Sequence, residues 1–439
     1  MSLPAAAVPW LFCAVSVVGA WFTYNAFRPI HTAARGSVVS FFAGWLTAEL
    51  ALHHLAWQAV FTAVFIWAGA LDAWPGRLGL GITLTSWAGL AWCYLGARSA
   101  EAVVEEALSA GLGAPYREEI LPEVREKFAP AIDWRQILLP LPIWHPDVER
   151  VRNVVYTRID GKALKLDVYR PRDARAGCPT LLQIHGGAWI LGSKNEQAIP
   201  LMRHLASRGW VCVTANYRLS PRATFPDHLI DCKRAIQWIR EHGAEYGANP
   251  DFLVVTGGSA GGHLASLVAL TANEPAYQPG FERVDTSVSG CVAFYGVYDF
   301  TNRSGHWPHR GLLRLLERRV MKVPLASARE AYEKASPIAC ITRSAPPFFV
   351  IHGTHDTLVP VAEARAFAHA LRATTGGPVV YAEIPGAQHA FELFPSLRSL
   401  FVIHGVERFL AHLYSRYLAA RGGATGPDVL AVVGAPGSR

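Results

Sequence analysis

The sequence predicts a chain of two parts, an N-terminal helical membrane region and a larger α/β domain with a mainly parallel sheet. Of the 41 Lys and Arg and 34 Asp and Glu residues, six lie within residues 1–100, which are otherwise rich in apolar side chains. Beyond residue 150, short apolar runs alternate with helical patterns, which is typical of helices that cover both faces of a parallel sheet. A hydrophobic content of 51% excludes an intrinsically disordered chain.

The first 100 residues predict an anchor of about three membrane spans. Residues 8–27 and 78–97 carry no charge, and each is about as long as the ~20 residues that a helix needs to cross a bilayer. Residues 37–71 are expected to form one span over about 52–71, preceded by an interfacial or re-entrant helix over 38–50. Glu49 and His53 lie one helical turn apart, so we expect a structural polar pair, with a proton relay as the alternative.

The orientation of the anchor depends on the number of spans. Three spans place Arg28, Arg35 and Arg98 on one side of the bilayer, and the positive-inside bias then puts the C-terminal domain in the cytoplasm. Splitting the middle segment into two spans reverses this orientation, because Arg77 would then share the cytoplasmic side with Arg28 and Arg35.

The remaining residues divide by composition into three segments. Residues 101–150 contain six prolines and are predicted to be a connector with short helices. A domain over residues 151–420 should contain a cap over 301–345, whose basic segment 310–322 is expected to pack its leucines on the domain rather than to act as a lid at lipid. Residues 421–439 are predicted to be a flexible tail. The predicted elements are strands at 151–158, 164–169, 180–184, 211–215, 252–256, 288–294, 348–352 and 379–384, and a helix at 227–242.

Charge and cysteine usage argue against other classes of protein. The net charge of +7 is spread without a long basic run, so nucleic-acid binding is not expected. The cysteines show neither close pairs nor the spacing of metal ligands, which favours reduced thiols packed in the core and predicts no metal site.

The clearest candidate for chemistry is the segment Gly257-Gly258-Ser259-Ala260-Gly261-Gly262, between a predicted strand and a predicted helix. A Gly-x-Ser-x-Gly turn in this setting exposes its serine at a sharp strand-to-helix bend. The negative charge that develops during acyl transfer is favoured at a helix N-terminus. Ser259 is therefore the candidate nucleophile.

A second segment, His185-Gly186-Gly187-Ala188-Trp189, directly follows another predicted strand. Backbone N–H groups of consecutive glycines can stabilise the oxyanion of a tetrahedral intermediate. We expect Gly186 and Gly187 to supply such donors, together with Ala260, the residue after the nucleophile.

A serine nucleophile requires a base and a group that orients the base. His389 and Asp356 each follow a predicted strand, so both are expected at the carboxyl edge of the sheet, where ligands bind in parallel sheets. The order Ser259, Asp356, His389 is one of the known orders of a catalytic triad. His352 and His355 are alternative bases, and Asp299 is an alternative orienting group. Asp227 is interpreted as a helix cap or a surface charge.

The motifs HGGAW, GGSAGG, HGTHD and GAQHAF, in this order, resemble the serine esterase and lipase branch of the α/β-hydrolase superfamily. They are closest to hormone-sensitive-lipase-like carboxylesterases and to hydrolases with an HGGxW motif, and the similarity covers about residues 151–417. The resemblance implies an eight-stranded, mainly parallel sheet with a small cap. It also implies Ser259 as nucleophile, His389 as base and then acid, and Asp356 as the residue that orients His389.

The chain departs from hormone-sensitive-lipase relatives at two positions, with Ala188 after the two glycines and Gly258 before the serine. These departures leave the substrate class open among the esters and amides that the HGGAW group hydrolyses. A multi-span anchor ahead of such a domain resembles prenylcysteine methylesterases and actinobacterial membrane esterases, so we expect a multi-pass protein of a bacterial cell membrane.

The expected function is that of a membrane-anchored serine carboxylesterase or lipase, with a small-molecule ester or lipid as substrate and the bilayer as a partner. No cofactor is expected. The alternatives are an acyltransferase or formamidase with the same triad, or a catalytically silent binding module tethered to the membrane. The sequence leaves the oligomeric state, the natural substrate and its acyl-chain length open.

Overall fold

The computed structural model describes residues 5–128, 131–141, 145–173 and 176–422. The predicted tail therefore lies almost entirely outside the described residues. The helices are α1 Val8–Phe27, α2 Ala34–Glu49, α3 Ala51–Trp67, α4 Trp74–Gly96, α5 Ser99–Leu112, α6 Pro122–Arg125, α7 Trp134–Leu138, α8 Ile199–Ser207, α9 Asp227–His242, α10 Ala260–Leu270, α11 Gly311–Leu315, α12 Arg329–Lys334, α13 Val361–Thr374 and α14 Leu397–Gly422. The strands are β1 Val148–Ile159, β2 Lys162–Pro171, β3 Cys178–Ile184, β4 Val211–Ala215, β5 Ala248–Gly258, β6 Gly290–Phe294, β7 Phe348–Gly353 and β8 Val379–Ile384.

Eight strands of the described chain form one sheet in the order β1-β2-β4-β3-β5-β6-β7-β8. The β1–β2 hairpin and the β2–β4 pair are antiparallel, whereas every pair from β4 to β8 is parallel. The predicted α/β fold with a mainly parallel sheet is therefore confirmed. The parallel arrangement brings the carboxyl ends of β3, β5, β7 and β8 to one edge of the sheet, where all four candidate motifs lie.

Apolar side chains are buried on both faces of the sheet. Every residue of β4, β6 and β7 is buried, as expected for parallel strands that are covered by helices on both sides. One face packs against α9, α10 and α13, and the other packs against α8 and α14. The core thiols Cys212, Cys232 and Cys291 are free and buried, as the cysteine spacing predicts.

The predicted cap contains two short helices and several turns. The basic segment forms α11 and then a π-helical turn, and its side chains Leu316 and Val320 are completely buried. The Phe225 N–H donates to the Val320 carbonyl at 3.0 Å. The apolar side chains of this segment therefore pack on the domain, as the preferred interpretation of the sequence expects.

Several polar side chains of the first four helices are buried between the helices, and many of their apolar side chains are exposed. Ser16 of α1 is 5% exposed and accepts a hydrogen bond from Thr83 of α4 at 2.9 Å, whereas Val18 is 53% exposed. Thr23 and Ser86 form a second hydroxyl contact between α1 and α4, at 2.7 Å. Small and hydroxyl side chains between helices, with apolar side chains outside, are typical of helices packed in lipid.

Two helical elements, Val8–Phe27 and Trp74–Leu112, are long and apolar enough to cross a membrane. Helices α2 and α3 are long and apolar enough only when they are taken together, and they meet at a bend of 90°. The pair adds a third span only if the two helices form one broken span. The bend lies at Leu50, the same position at which the sequence predicts the change from an interfacial helix to a span.

Helix α5 belongs to the core of the α/β domain, although the sequence assigns residues 101–150 to a connector. Its residues Ala100, Val104 and Leu108 are completely buried. They lie in the same apolar cluster as side chains of β8 and α14. The apolar face of α5 thus packs against the α/β domain, so this part of the predicted connector belongs to the core of that domain.

The predicted pairing of Glu49 with His53 is wrong. Glu49 ends α2 and forms a buried ion pair with Arg398 of α14, and the Ser396 hydroxyl donates to its other carboxylate oxygen at 2.6 Å. His53 lies beyond the bend and contacts the Leu138 carbonyl at 3.1 Å. The bend at Leu50 separates the two side chains, since a shared helix face requires an uninterrupted helix.

Candidate active site

Ser259 lies in the sharp turn between β5 and α10. Its φ of 59° and ψ of −122° are unusual for a residue with a side chain, and strained residues of this kind concentrate at functional sites. The Ser259 N–H donates to the Phe294 carbonyl at 3.0 Å. A Cβ at Gly261 would lie 2.1 Å from the Ile184 carbonyl oxygen, so only glycine permits this close approach of α10 to β3. The backbone thus holds the Ser259 hydroxyl at the carboxyl edge of the sheet.

Three side chains from different loops meet at this edge. Nε2 of His389 lies 2.8 Å from Oγ of Ser259, and Nδ1 of the same ring lies 2.6 Å from Oδ2 of Asp356. Asp356 follows β7 and His389 follows β8, as the sequence predicts. The distances permit a continuous chain of hydrogen bonds from the hydroxyl through the imidazole to the carboxylate.

Asp356 is fully buried and still favours its charged form. Burial opposes ionisation, but the His389 and His352 side chains outweigh it and hold the pKa of Asp356 well below its usual range. The other carboxylate oxygen accepts hydrogen bonds from the N–H groups of Leu358 and Val359 at 2.9 and 2.8 Å. The carboxylate is therefore fixed in position before any substrate binds.

The loop after β3 carries the two glycines that the sequence predicts as oxyanion donors. Gly187 has a φ of 113°, and a Cβ there would lie 2.1 Å from the Leu191 carbonyl oxygen, so the turn requires glycine. The Gly186 N–H already donates to the side-chain oxygen of Gln197. The N–H groups of Gly187 and Ala260 are the other two predicted donors, and the oxyanion role of all three residues stays a prediction. As the first residue of α10, Ala260 has no acceptor for its N–H within the helix.

The glycine loop and the nucleophile helix are joined by two buried aromatic side chains. Nε1 of Trp189 donates to Nδ1 of His263, on α10, at 3.2 Å, and the His263 Nε2–H donates to the Ala335 carbonyl at 2.8 Å. Burial lowers the pKa of His263 to about 3, so the ring is neutral and can accept the indole N–H. This contact ties the turn that contains Gly187 to the helix that begins after Ser259.

The alternative residues that the sequence offers have other partners. Nε2 of His352 lies 2.9 Å from the Val359 carbonyl oxygen and 3.2 Å from Oδ2 of Asp356, while His355 contacts the Ala26 carbonyl at 3.0 Å. The Asp299 carboxylate accepts hydrogen bonds from Thr301 and Arg303 within its own turn. Asp227 is the first residue of α9 and accepts a hydrogen bond from the Thr224 N–H, ahead of the helix, at 3.0 Å, so its side chain does not cap an N–H of α9.

Sequence reasoning did not find several side chains that surround His389. Oε1 of Gln388 accepts hydrogen bonds from the N–H groups of His389 and Thr357, so it joins the loops after β7 and β8. The Tyr295 ring packs on the imidazole, with ring centroids 4.5 Å apart, and its hydroxyl donates to Oε1 of Glu392. Local sequence patterns could not identify these residues, because each is defined by a contact with a distant loop.

The buried carboxyl group of Glu392 should make the free energy of unfolding depend on pH. Burial is the main cause that raises its pKa from 4.5 to about 7, and the Tyr295 hydrogen bond only partly opposes it. As pH rises through this window, the unfolded carboxyl group loses its proton before the folded one, so the folded state loses relative stability.

Glu392→Gln cannot titrate and keeps an acceptor for Tyr295. Among the described residues, Oε2 of Glu392 has no hydrogen-bond partner, so the new amide replaces an unpaired oxygen. Between about pH 5 and about pH 8, the free energy of unfolding should fall by up to about 3 kcal/mol more in the wild type than in the variant. Denaturant titrations of the detergent-solubilised full chain measure this, and equal falls would contradict the expectation.

One groove of the described surface lies away from this arrangement. It has a volume of about 560 Å³ and is lined by Phe252, Pro347 and Tyr417, near the amino ends of β5 and β7. Ser259 lies at the opposite end of β5. Because this groove contains no nucleophile and base in contact, we place the candidate site at Ser259 instead.

Comparison with known proteins decides the family. A family model described as BD-FAE matches residues 166–371. The probable carboxylic ester hydrolase LipM of Mycobacterium tuberculosis is 43% identical over 434 residues, which covers 94% of this chain and 95% of that protein. The chain belongs to the carboxylic ester hydrolases with an α/β-hydrolase fold. Esterase LipQ of the same organism is 39% identical to this ester hydrolase and covers 89% of it.

Solved structures agree with this assignment. Esterase 2 of Thermogutta terrifontis, phosphonylated by sarin, is 28% identical to this ester hydrolase and has a TM-score of 0.52. That similarity covers 66% of this chain and all of the Thermogutta chain. The native form of the same esterase gives a TM-score of 0.51 and covers 64% of this chain. The predicted enzyme class, a hydrolase of carboxylic esters, is thereby confirmed.

Proposed function

We propose that this ester hydrolase is a membrane-anchored serine esterase in which Ser259, His389 and Asp356 form the catalytic triad. The hydrogen-bonded arrangement of the three side chains is the observation that carries the proposal. The strained backbone at Ser259 supports it further, since a nucleophile elbow adopts this kind of conformation.

The first half of the reaction transfers the acyl group to the enzyme. Nε2 of His389 takes the proton from the Ser259 hydroxyl while Oγ attacks the ester carbonyl. The negative oxygen of the tetrahedral intermediate accepts hydrogen bonds from the N–H groups of Gly187 and Ala260. His389 then donates its proton to the leaving alcohol oxygen, the bond between the carbonyl carbon and that oxygen breaks, and the acyl group stays on Ser259.

The second half releases the acid. His389 takes a proton from a water molecule, whose oxygen attacks the acyl carbonyl carbon. The bond between that carbon and Oγ of Ser259 then breaks as His389 returns the proton to Oγ. Asp356 stabilises the protonated imidazole in both halves and keeps Nε2 directed at Ser259. The low pKa of Asp356 suits this role, because the carboxylate stays charged while the imidazole gains a proton.

The N-terminal helices are proposed to anchor the enzyme as a multi-pass protein, with apolar esters at or near the bilayer as substrates. The arrangement of buried hydroxyl groups between α1 and α4, with apolar side chains outside, supports the anchor. We expect the full chain to stay with the membrane fraction in alkaline carbonate. Release into the supernatant, with a peripheral protein as the reference, would contradict membrane spanning.

The catalytic proposal is tested with a fluorophosphonate probe on the full-length protein. The expected result is one covalent adduct on the peptide that contains Ser259, and no adduct after heat denaturation. The phosphonylated Thermogutta esterase supports the choice of an organophosphorus probe. Absence of the adduct from active protein would remove Ser259 as nucleophile. Free acid as the only product would separate hydrolysis from acyl transfer to a second alcohol.

A further inference from the structure

Helix α2 of the N-terminal region is attached to both loops that carry His389 and Asp356. Near its beginning, the Ser37 carbonyl accepts a hydrogen bond from Thr357, the residue after Asp356, at 2.9 Å. At its end, the buried Glu49 carboxylate pairs with Arg398 and Ser396, shortly after the His389 loop. Breaking a buried ion pair of this kind leaves an uncompensated charge and is strongly destabilising. These contacts at both ends hold α2 beside the site.

One face of α2 places aromatic side chains next to the catalytic base. The Phe41 ring contacts His389 edge to face, with centroids 6.0 Å apart. Phe41 stacks on Trp45 at 5.3 Å, and Trp45 stacks on Phe394 at 5.6 Å. We call Phe41, Trp45 and Phe394 the aromatic run. All three side chains are only partly buried, so they offer apolar surface beside the imidazole.

The chemistry of the proposed reaction indicates which part of an ester would meet this surface. The acyl oxygen must face the N–H groups of Gly187 and Ala260, whereas the leaving alcohol oxygen must lie near Nε2 of His389 to receive its proton. A surface that adjoins the imidazole is therefore closer to the alcohol part than to the oxyanion donors.

We propose that the aromatic run is the subsite for the alcohol part of the ester and selects apolar alcohols. The inference rests on the proposed triad, and it assigns the N-terminal region a role in substrate specificity besides anchoring. Phe41 is the specificity-determining residue, because it contacts His389 directly. An alkyl chain on the alcohol oxygen would lie along Phe41 and continue toward Trp45.

The test is a series of acetate esters, methyl, butyl and hexyl, which all form the same acetyl-enzyme. In Phe41→Ala, the ratio of kcat/KM for hexyl acetate to that for methyl acetate should fall about tenfold, since even one methylene in an apolar site has an effect of this size. Val39→Ala is the control, because Val39 lies two residues before Phe41, on the opposite side of α2, and is 53% exposed. Its ratio should stay within about twofold of wild type.

The outcomes separate this inference from the proposed triad. An unchanged ratio in Phe41→Ala, with normal fluorophosphonate labelling of Ser259, would overturn the alcohol subsite and leave the triad intact. A second series, methyl esters of acids of increasing chain length, tests the acyl side. If Phe41→Ala changes kcat/KM only in this second series, the aromatic run contacts the acyl part, and the alcohol subsite is overturned. Absence of labelling in the wild type would overturn the triad itself. If Phe41→Ala fails to fold, Phe41→Leu replaces it, with a smaller fall in the same ratio as the supporting result.

Discussion

Replacing Ser259 by alanine is expected to lower kcat for ester hydrolysis by about 10⁴- to 10⁶-fold. In the proposed mechanism the substitution removes the oxygen that attacks the ester carbonyl, and His389 then has no serine hydroxyl to activate. The oxyanion donors and the substrate site remain, so a small residual rate above that of water is expected. Steady-state hydrolysis of a chromogenic ester by purified full-length protein measures the loss.

Ser266→Ala is the matched control for this variant. Ser266 lies on the same helix as the residues after Ser259, and its hydroxyl donates to the Gly262 carbonyl within α10 at 2.8 Å. Its loss should leave kcat within about threefold of wild type, because a helix hydroxyl of this kind contributes little to stability. Comparable turnover by wild type and the folded Ser259→Ala variant would remove the proposed nucleophile.

Asp356→Asn is expected to lower kcat by about 10⁴-fold with little change in the shape of the site. The new amide group can donate to Nδ1 of His389, which favours the tautomer with its proton on Nε2. That tautomer cannot take the proton from Ser259. The N–H groups of Leu358 and Val359 keep their acceptor, since the remaining side-chain oxygen can occupy the position of Oδ1. Pre-steady-state acylation measures the effect directly.

Asp299→Asn distinguishes the two acids that the sequence offers. Asp299 binds Thr301 and Arg303 in a local turn, so its substitution should lower kcat by less than about tenfold. A larger loss in Asp299→Asn than in Asp356→Asn would reverse the assignment. Both variants need a normal melting transition to exclude a general loss of fold.

Local patterns in the sequence predict much of the α/β domain. The apolar runs at 211–215, 348–352 and 379–384 coincide with buried parallel strands, and the helix at 227–242 has the predicted bounds. The motif around Ser259 predicts the turn because its small residues and its position between a strand and a helix are local properties. The structure brings Ser259, Asp356 and His389 to hydrogen-bonding distance, while their catalytic roles stay predictions.

Contacts between distant segments were not predictable in the same way. The pairing of Glu49 with Arg398 joins residues that are 349 positions apart, and helical periodicity offered the nearer His53 instead. Periodicity shows which side chains share a face, but it does not identify what covers that face. For the same reason the sequence assigns α5 to a connector, although its apolar side chains complete the core beside β8.

The sequence by itself determined the class of fold, the order of the candidate catalytic residues and the apolar character of the first 100 residues, because each depends on neighbours along the chain. Only the tertiary structure decided that Gly186 donates to Gln197, that Tyr295 packs on His389 and donates to Glu392, and that α2 places Phe41 against the same imidazole. These contacts arise when separate elements pack against one sheet edge, and packing depends on the shape and charge of surfaces that no local pattern records.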